Sequence, residues 1–220
     1  MNVETIFITP NAEQIIEAAG RTCYKSKPKE GYKHGNLIQA LIKSGHDSVL
    51  EHAHASFRLT GVSRSMTHQL VRHRLCSFSQ ESQRYVSAEK FPFIIPPSIE
   101  NSEYRDDYFS DMDILRCMYA KWLGRKIKKE DARYVLPNAC SSEIVITANL
   151  RQWRNLLKLR CDAKAQWEIR EVAFIILGIL SNHAPHIFDD LLIRFTGESR
   201  LEALELEALE KENHEKRNLG

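Results

Sequence analysis

A fourteen-residue stretch, RHRLCSFSQESQRY from Arg72 to Tyr85, concentrates the side chains of this chain that could do chemistry. It holds three arginines, one histidine, three serines and two glutamines, while Glu81 is its only carboxylate. Guanidinium groups bind phosphates through paired hydrogen bonds, and hydroxyl and amide groups add neutral donors. Many donors and few acceptors indicate a site for a polyanion: a nucleotide, a dinucleotide cofactor or a nucleic-acid backbone.

Five more polar residues lie further along the chain: Arg133, Asn149, Arg151, Asn155 and Arg160. The last four fall within about three turns of a predicted helix, directly after a β-branched strand. A turn from a strand into a helix presents backbone N–H groups to anions, which favours a second anion-binding cluster. The alternative interpretation is a solvated helix face with an asparagine N-cap.

Histidine, cysteine and serine positions raise other kinds of site. His46, His52 and His54 suggest a metal-dependent hydrolase, but they lack the ligand spacing of a zinc site, so we predict no metal. Cys76 lies among arginines, which favour a thiolate, yet no base is paired with it, and we interpret it as a packing residue. Ser82 lacks a Gly-x-Ser-x-Gly context and is interpreted as a phosphate-binding hydroxyl.

Composition and charge limit the partners. A net charge of +2 on 220 residues is too balanced for binding nucleic acid through overall charge, so we predict no nucleic-acid partner. The longest apolar run, residues 172–180, is too short to cross a bilayer, and the N-terminus carries no secretory pattern; we predict no membrane partner. Five scattered cysteines without a CxxC pair fit reduced thiols in the cytoplasm.

Hydrophobic periodicity predicts the elements that must position these residues. In the first half it predicts a strand (2–9), a helix (10–23), a basic loop (25–33), a helix ended by Gly45, a strand within 49–60 and a helix over 62–75. Arg64, His68 and Arg72 would share one face of that last helix. In the second half it predicts an extended segment (85–95), helices (101–128 and 129–136), a strand (143–148) and helices (149–159, 163–181 and 187–195). We predict one α+β domain over residues 1–220, with 198–220 as a charged tail.

The spacing Arg72-His73-Arg74, seven residues, then Ser82, with Arg84 just beyond, resembles the signature of the flavin-dependent thymidylate synthases. The segment GHDSVLEH (45–52) resembles the part of that family before the signature, and NLRQWRNLLKLRCDAKAQWEIR (149–170) resembles its C-terminal ligand-binding region. The resemblance covers most of residues 37–195. Two positions depart from the common form: Ser79-Gln80 stands where Asn-Glu is expected, and Lys164 where His is expected.

The resemblance implies a fold and a reaction. The fold is a single α+β domain with a central, mostly antiparallel sheet flanked by helices. The reaction is dTMP synthesis from dUMP, with methylenetetrahydrofolate as carbon donor and NADPH (or NADH) as reductant through FAD, and without an enzyme nucleophile. The chain contains no Pro-Cys-Gln tripeptide, the context of the cysteine nucleophile in the unrelated thymidylate synthases. The family also implies a homotetramer whose sites are shared between subunits.

The resemblance assigns roles residue by residue. FAD would be bound by His46, Ser48, Arg72, His73, Arg74, Gln80, Asn149, Arg151 and Asn155. The substrate dUMP would be bound by Gln69, Leu70, Val71, Arg72, Gln80, Glu81, Ser82, Gln83, Arg84, Arg133 and Arg160. Ser82 and Arg84 would hold its phosphate, and Arg160 would be the catalytic residue, stabilising negative charge on N3 and the C4 oxygen of uracil. The main alternative is a flavin-binding protein with a different reaction.

Overall fold

The computed structural model describes residues 1–28 and 35–204. Within them the strands are β1 (Asn2–Ile8), β2 (His54–Ser63), β3 (Ser77–Gln80) and β4 (Ser141–Asn149). The α-helices are α1 (Ala12–Tyr24), α2 (Asn36–Lys43), α3 (Arg64–Leu70), α4 (Pro97–Glu100), α5 (Arg105–Gly124), α6 (Lys129–Ala132), α7 (Leu150–Arg160), α8 (Trp167–His183) and α9 (Pro185–Thr196). Two 3-10 helices are Asp47–His52 and Arg133–Val135.

The strands form one open antiparallel sheet in the order β1-β2-β4-β3. Its central strands alternate in burial as half-buried strands do. In β2 the side chains of Phe57 and Leu59 are fully buried, and in β4 those of Ile144 and Ile146 are fully buried. The predicted α+β class with an antiparallel sheet is confirmed.

The chain divides into two compact units. The first contains residues 1–5 and 57–146, and the second contains residues 6–56 and 147–220. Strands β1, β2 and β4 each run from one unit into the other. The single domain over residues 1–220 stays a prediction.

A long helix builds the core of the first unit. α5 buries Met112 and Tyr119, which lie seven residues apart and so on one helix face. Between them Arg116 donates from Nη2 to the carbonyl oxygen of Phe91 at 2.7 Å, and its guanidinium lies over the rings of Phe91 and Phe93. These contacts hold residues 86–95, which are irregular apart from an antiparallel bridge at Phe93. The extended segment predicted at 85–95 is therefore mostly irregular.

The core of the second unit is built around α7. Trp153 is fully buried and donates from its indole nitrogen to the carbonyl oxygen of Ala55 at 3.0 Å. Arg154 is also buried, and both of its terminal nitrogens reach the Asp190 carboxylate at 2.6 Å. A buried guanidinium needs such a partner, because an unpaired buried charge is strongly destabilising. Arg154 further donates to the carbonyl oxygen of Ile187, which ties α7 to α9.

Two predicted elements differ from the structure around the signature. The helix predicted over 62–75 ends at Leu70, and the loop after it contains β3. Arg72 therefore does not share a helix face with Arg64 and His68. The strand predicted within 49–60 begins only at His54, since residues 47–52 form a 3-10 helix. At residues 77–80, pairing with β4 overrides local propensity. Residues 29–33 of the predicted basic loop and 205–220 of the tail lie outside the described residues.

Candidate functional site

The donor-rich stretch starts at the end of α3. Ser63 caps this helix by accepting a hydrogen bond from the Met66 backbone N–H at 3.0 Å. Gln69 is half-buried, Leu70 is buried and Val71 is exposed. Beyond them the backbone turns through bonds three residues apart, from the N–H of His73 to the carbonyl of Leu70 and from Cys76 to His73. The turn leaves Arg72 and Arg74 exposed and His73 buried, so the first two can reach an external ligand.

The side chain of Gln80, at the end of β3, is hydrogen-bonded to two residues of the first unit. Its Nε2 lies 2.8 Å from the Thr67 hydroxyl and 3.1 Å from the Ser142 hydroxyl. The Thr67 hydroxyl in turn donates to the carbonyl oxygen of Arg64 at 3.0 Å. Because Thr67 uses its only proton there, it must accept from position 80, and a carboxylate could not donate to it. Glutamine rather than the glutamate common in the family therefore fits this position. Its contact with a ligand stays a prediction.

Arg64 supports the same loop and was not assigned to the site from the sequence. Its Nη1 donates to the carbonyl oxygen of Glu81 at 3.1 Å and lies 3.4 Å from the Ser142 hydroxyl. The pKa of Arg64 is lowered, first by burial and then by the nearby positive charge of Arg133. The Glu81 backbone N–H also bonds to the carbonyl of Glu143 at 2.9 Å. The backbone that enters the Ser82 turn is therefore fixed on both sides.

Arg84 meets Glu130 at the start of α6. Both Nε and Nη2 of Arg84 approach the same carboxylate oxygen, at 3.2 and 3.1 Å. Arg133 donates from Nε to the backbone carbonyl oxygen of Glu130 at 3.1 Å. The backbone N–H of Arg84 bonds to the Ser82 hydroxyl at 3.3 Å, and Gln83 between them is half-buried. The predicted phosphate-binding residues Ser82 and Arg84 are thus brought together, with Arg133 held by the same glutamate.

A cavity of about 370 Å³ in the second unit collects part of the other cluster. Gly45 ends α2 with a positive φ of 74°, a conformation that glycine adopts without strain. The turn brings His46 and Ser48, both exposed, to the cavity wall, and Arg151 lies on the same wall. An imidazole, a hydroxyl and a guanidinium around one cavity suit a phosphate or a ribose.

The remaining α7 residues of that cluster are placed differently. Asn149 is the N-cap, and its side-chain oxygen accepts from the Gln152 backbone N–H at 2.8 Å. Asn155 is exposed further along the helix. Neither is among the residues that line the cavity. Asn149 therefore has the capping role that the sequence offered as the alternative interpretation. Its side-chain oxygen is occupied by the cap, so only its NH2 group could donate to a ligand.

Comparison with known proteins decides the family. Residues 4–186 match the family profile "Thymidylate synthase complementing protein". The flavin-dependent thymidylate synthase of Clostridium tetani is 36% identical over 212 residues, covering 86% of this chain and 85% of that protein, and the one of Geobacter sulfurreducens is 38% identical over 200 residues, covering 86% of each. The chain belongs to the flavin-dependent thymidylate synthase family. The identification made from the signature is confirmed, and so is the prediction of an enzyme.

A solved structure of the family has the same fold. Thymidylate synthase X from Helicobacter pylori, crystallised with FAD and dUMP, superposes with a TM-score of 0.72 at 27% identity, covering 87% of this chain and 99% of that one. The superposition covers 99% of the related chain. The α+β assignment therefore rests on the whole fold and not only on the four strands.

At the end of α7, this flavin-dependent thymidylate synthase carries a half-buried arginine beside a buried cysteine. Burial lowers the pKa of Arg160. Burial also raises the pKa of the next residue, Cys161, from the usual 9.0 to about 12. In the first unit burial raises the pKa of Cys140 to about 11. Both thiols are therefore protonated at neutral pH, whereas a nucleophilic cysteine needs its thiolate.

The described residues contain neither a candidate membrane span nor a cluster of metal-ligating side chains. No helix within residues 1–28 and 35–204 is long and apolar enough to cross a membrane. Within the same residues, no three His, Cys, Asp or Glu side chains are grouped as metal ligands. His52 and His54 are both exposed, at the end of a 3-10 helix and the start of β2.

Proposed function

We propose that this enzyme converts dUMP to dTMP by reductive methylation, with methylenetetrahydrofolate as carbon donor and NAD(P)H as reductant through FAD. The observation that carries the proposal is the grouping of Ser82 and Arg84, from the signature, with Arg133 at Glu130. Two guanidiniums and a hydroxyl at one place suit a phosphate monoester. Family membership supplies the reaction to which that phosphate belongs.

The phosphate of dUMP would bind to Arg84 and Ser82. Arg84 is about half exposed, and so is its partner carboxylate, so the ion pair is worth at most about 1 kcal/mol and exchanges readily. The neighbouring residues would contact the rest of the nucleotide: Gln69, Leu70, Val71, Arg72, Gln80, Glu81, Gln83, Arg133 and Arg160.

FAD would be held in part at the cavity lined by His46, Ser48 and Arg151. Arg151 pairs with Glu51 at 2.5 Å, and both side chains are about half exposed, so the guanidinium can exchange this carboxylate for a phosphate at small cost. The resemblance adds Arg72, His73, Arg74, Gln80, Asn149 and Asn155 to the flavin contacts. When bound, the flavin supplies the redox chemistry that amino-acid side chains lack.

Arg160 would act on the uracil ring. A guanidinium in a partly desolvated position stabilises negative charge more strongly than one in water. Charge developing on N3 and the C4 oxygen would therefore be stabilised, which makes C5 more nucleophilic. No enzyme nucleophile is needed for this scheme, in keeping with the protonated thiols of Cys140 and Cys161.

We further propose a cytoplasmic homotetramer with sites shared between subunits. All five cysteines are free thiols, which suits a reducing compartment. Large apolar side chains are exposed beside the predicted ligand residues, with Leu75 80% and Tyr134 84% accessible. Contiguous exposed apolar patches mark surfaces that bind partners or ligands, and the proposed assembly would cover these two side chains. Sedimentation of the purified protein as a monomer at working concentration would contradict the assembly.

The function is tested on the purified protein by its colour and by its isotope chemistry. A yellow protein whose absorbance bleaches with NADPH, faster when dUMP is present, is expected. Tritium release from [5-³H]dUMP with formation of dTMP separates a thymidylate synthase from a different flavoenzyme. A colourless protein that does not bind added FAD would refute the proposal. A yellow protein that oxidises NADPH but releases no tritium would support the alternative flavoenzyme.

A further inference from the structure

Two cationic side chains approach the carboxylate of Glu130. Its carboxylate receives both Nε and Nη2 of Arg84 on one oxygen, and Lys128 Nζ lies 3.9 Å from the other. Its backbone carbonyl receives Arg133 at 3.1 Å. Lys129 donates from Nζ to the carbonyl oxygen of Tyr85 at 2.9 Å. The carboxylate of Glu130 is therefore paired with Arg84, and the backbone carbonyl of the same residue accepts from Arg133.

The contact from Lys129 fixes the backbone that carries Arg84. Since Tyr85 is tied to the start of α6, the Arg84 guanidinium remains within reach of Glu130 whatever the ligand does. The ring of Tyr85 also lies 5.7 Å from the Arg84 guanidinium. The Arg84 guanidinium is thus contacted by Glu130 and by the Tyr85 ring, and of these only the Glu130 side chain competes for the hydrogen bonds that a phosphate would make.

We propose that Glu130 is a positioning residue, an internal counterion that holds Arg84 in place and is displaced from it by the substrate phosphate. This inference rests on the proposed function, in which Arg84 binds the phosphate of dUMP. A dianionic phosphate carries more charge than the carboxylate and can displace it. A nucleoside without phosphate does not compete for Arg84, so Glu130 weakens binding of the monophosphate and leaves binding of the nucleoside unchanged. The backbone carbonyl of Glu130 keeps Arg133 oriented throughout.

Variants at Glu130 and at its neighbour separate this role from general electrostatics. Glu130→Gln removes the charge and keeps the shape, and Glu130→Asp keeps the charge but withdraws it by one methylene. Asp131→Asn is the matched control, because it removes the same charge one residue away on α6, where Asp131 is exposed. Thermal melting of each holoenzyme shows that the variants fold.

Calorimetry measures the affinity of the FAD-loaded enzyme for dUMP, and tritium release gives KM and kcat. Deoxyuridine, which lacks the phosphate, is tested as an inhibitor of the same reaction. From the range for exposed ion pairs, Glu130→Gln should bind dUMP about twofold to fivefold more tightly and lower KM by the same factor. Glu130→Asp should shift in the same direction, and Asp131→Asn should match the parent enzyme. Deoxyuridine inhibition should be the same in all four proteins.

Several outcomes overturn the inference. Unchanged or weaker dUMP binding in both Glu130 variants would show that Glu130 does not compete with phosphate. If Asp131→Asn binds dUMP more tightly by the same factor, the effect comes from removing any negative charge on α6 and not from the Glu130–Arg84 pair. If Glu130→Gln binds deoxyuridine more tightly, Glu130 affects binding of the nucleoside and not competition with the phosphate. If the parent enzyme binds FAD but no dUMP, the proposed function itself fails and this inference fails with it, whereas the first three results leave the proposed function standing.

Discussion

Thr67→Val is expected to destabilise the protein through the signature strand. Thr67 is fully buried, and its hydroxyl both accepts from Gln80 Nε2 at 2.8 Å and donates to the carbonyl of Arg64 at 3.0 Å. Valine keeps the branched shape but makes neither bond. Each lost hydrogen bond costs about 0.5–1.5 kcal/mol. Gln80 retains the Ser142 hydroxyl at 3.1 Å, and a buried methyl group partly offsets the loss, so we expect about 1–2 kcal/mol.

For a chain of this length such a loss lowers the melting temperature by about 2–8 °C. The assay is thermal unfolding of the FAD-loaded enzyme, followed by circular dichroism and by the flavin. Thr22→Val is the matched control, since the Thr22 hydroxyl bonds to the Ala18 carbonyl at 2.9 Å on an exposed helix face. An exposed substitution of this kind changes stability by less than about 0.5 kcal/mol.

The same network links stability to substrate binding. Gln80 lies two residues before Ser82, so a loosened strand should raise KM for dUMP in Thr67→Val more than in Thr22→Val. A double-mutant cycle with Gln80→Met should give a coupling energy of about 0.5–1.5 kcal/mol. Melting temperatures that are equal in the two valine variants, or a coupling energy near zero, would refute the assignment of Gln80 to this network.

The remaining predictions concern α7. Arg160→Ala should lower tritium release about 100-fold to 1,000-fold while the melting temperature changes little; near-normal turnover would contradict its catalytic role. Arg151→Met should weaken FAD retention on ultrafiltration, whereas Glu51→Gln should not, because only the arginine faces the ligand in the proposal. The Cys161 pKa is higher in the folded state (about 12) than its usual 9.0, so the folded protein holds more protons between these values. Stability should therefore fall as pH rises from about 9 to 12, less steeply in Cys161→Ala than in the parent, as measured by urea unfolding.

Local signals predicted α7 and the strand before it. The β-branched run EIVITA favours a strand without any help from distant residues. Asn149 then caps the helix through a bond to a residue three positions later, at Gln152. Both are properties of adjacent residues, so the sequence is sufficient.

Non-local pairing explains what the sequence could not predict. Ser77–Gln80 forms a strand because β4 lies beside it in the sheet, although more than sixty residues separate them in the chain. α3 ends at Leu70 before this strand, so Arg72 does not lie on the predicted helix face. Arg84 and Glu130 are likewise 46 residues apart. The sequence pattern gives no sign of this ion pair, because each residue is an ordinary charged residue in its own segment.

Three arginines on α7 show why residue type alone does not identify a binding residue. Arg154 is almost fully buried, with a side chain only 4% exposed and both terminal nitrogens on Asp190, so a ligand could take it only by leaving that carboxylate unpaired. Arg151 is 52% exposed and faces a carboxylate that is 46% exposed, so exchanging this partner for a phosphate costs little. Arg160 is half-buried, and burial lowers its pKa, which is the environment where a positive charge acts most strongly on a bound ring. The sequence places all three on one helix. Their partners and their exposure distinguish the structural role of Arg154 from the binding role proposed for Arg151 and the catalytic role proposed for Arg160.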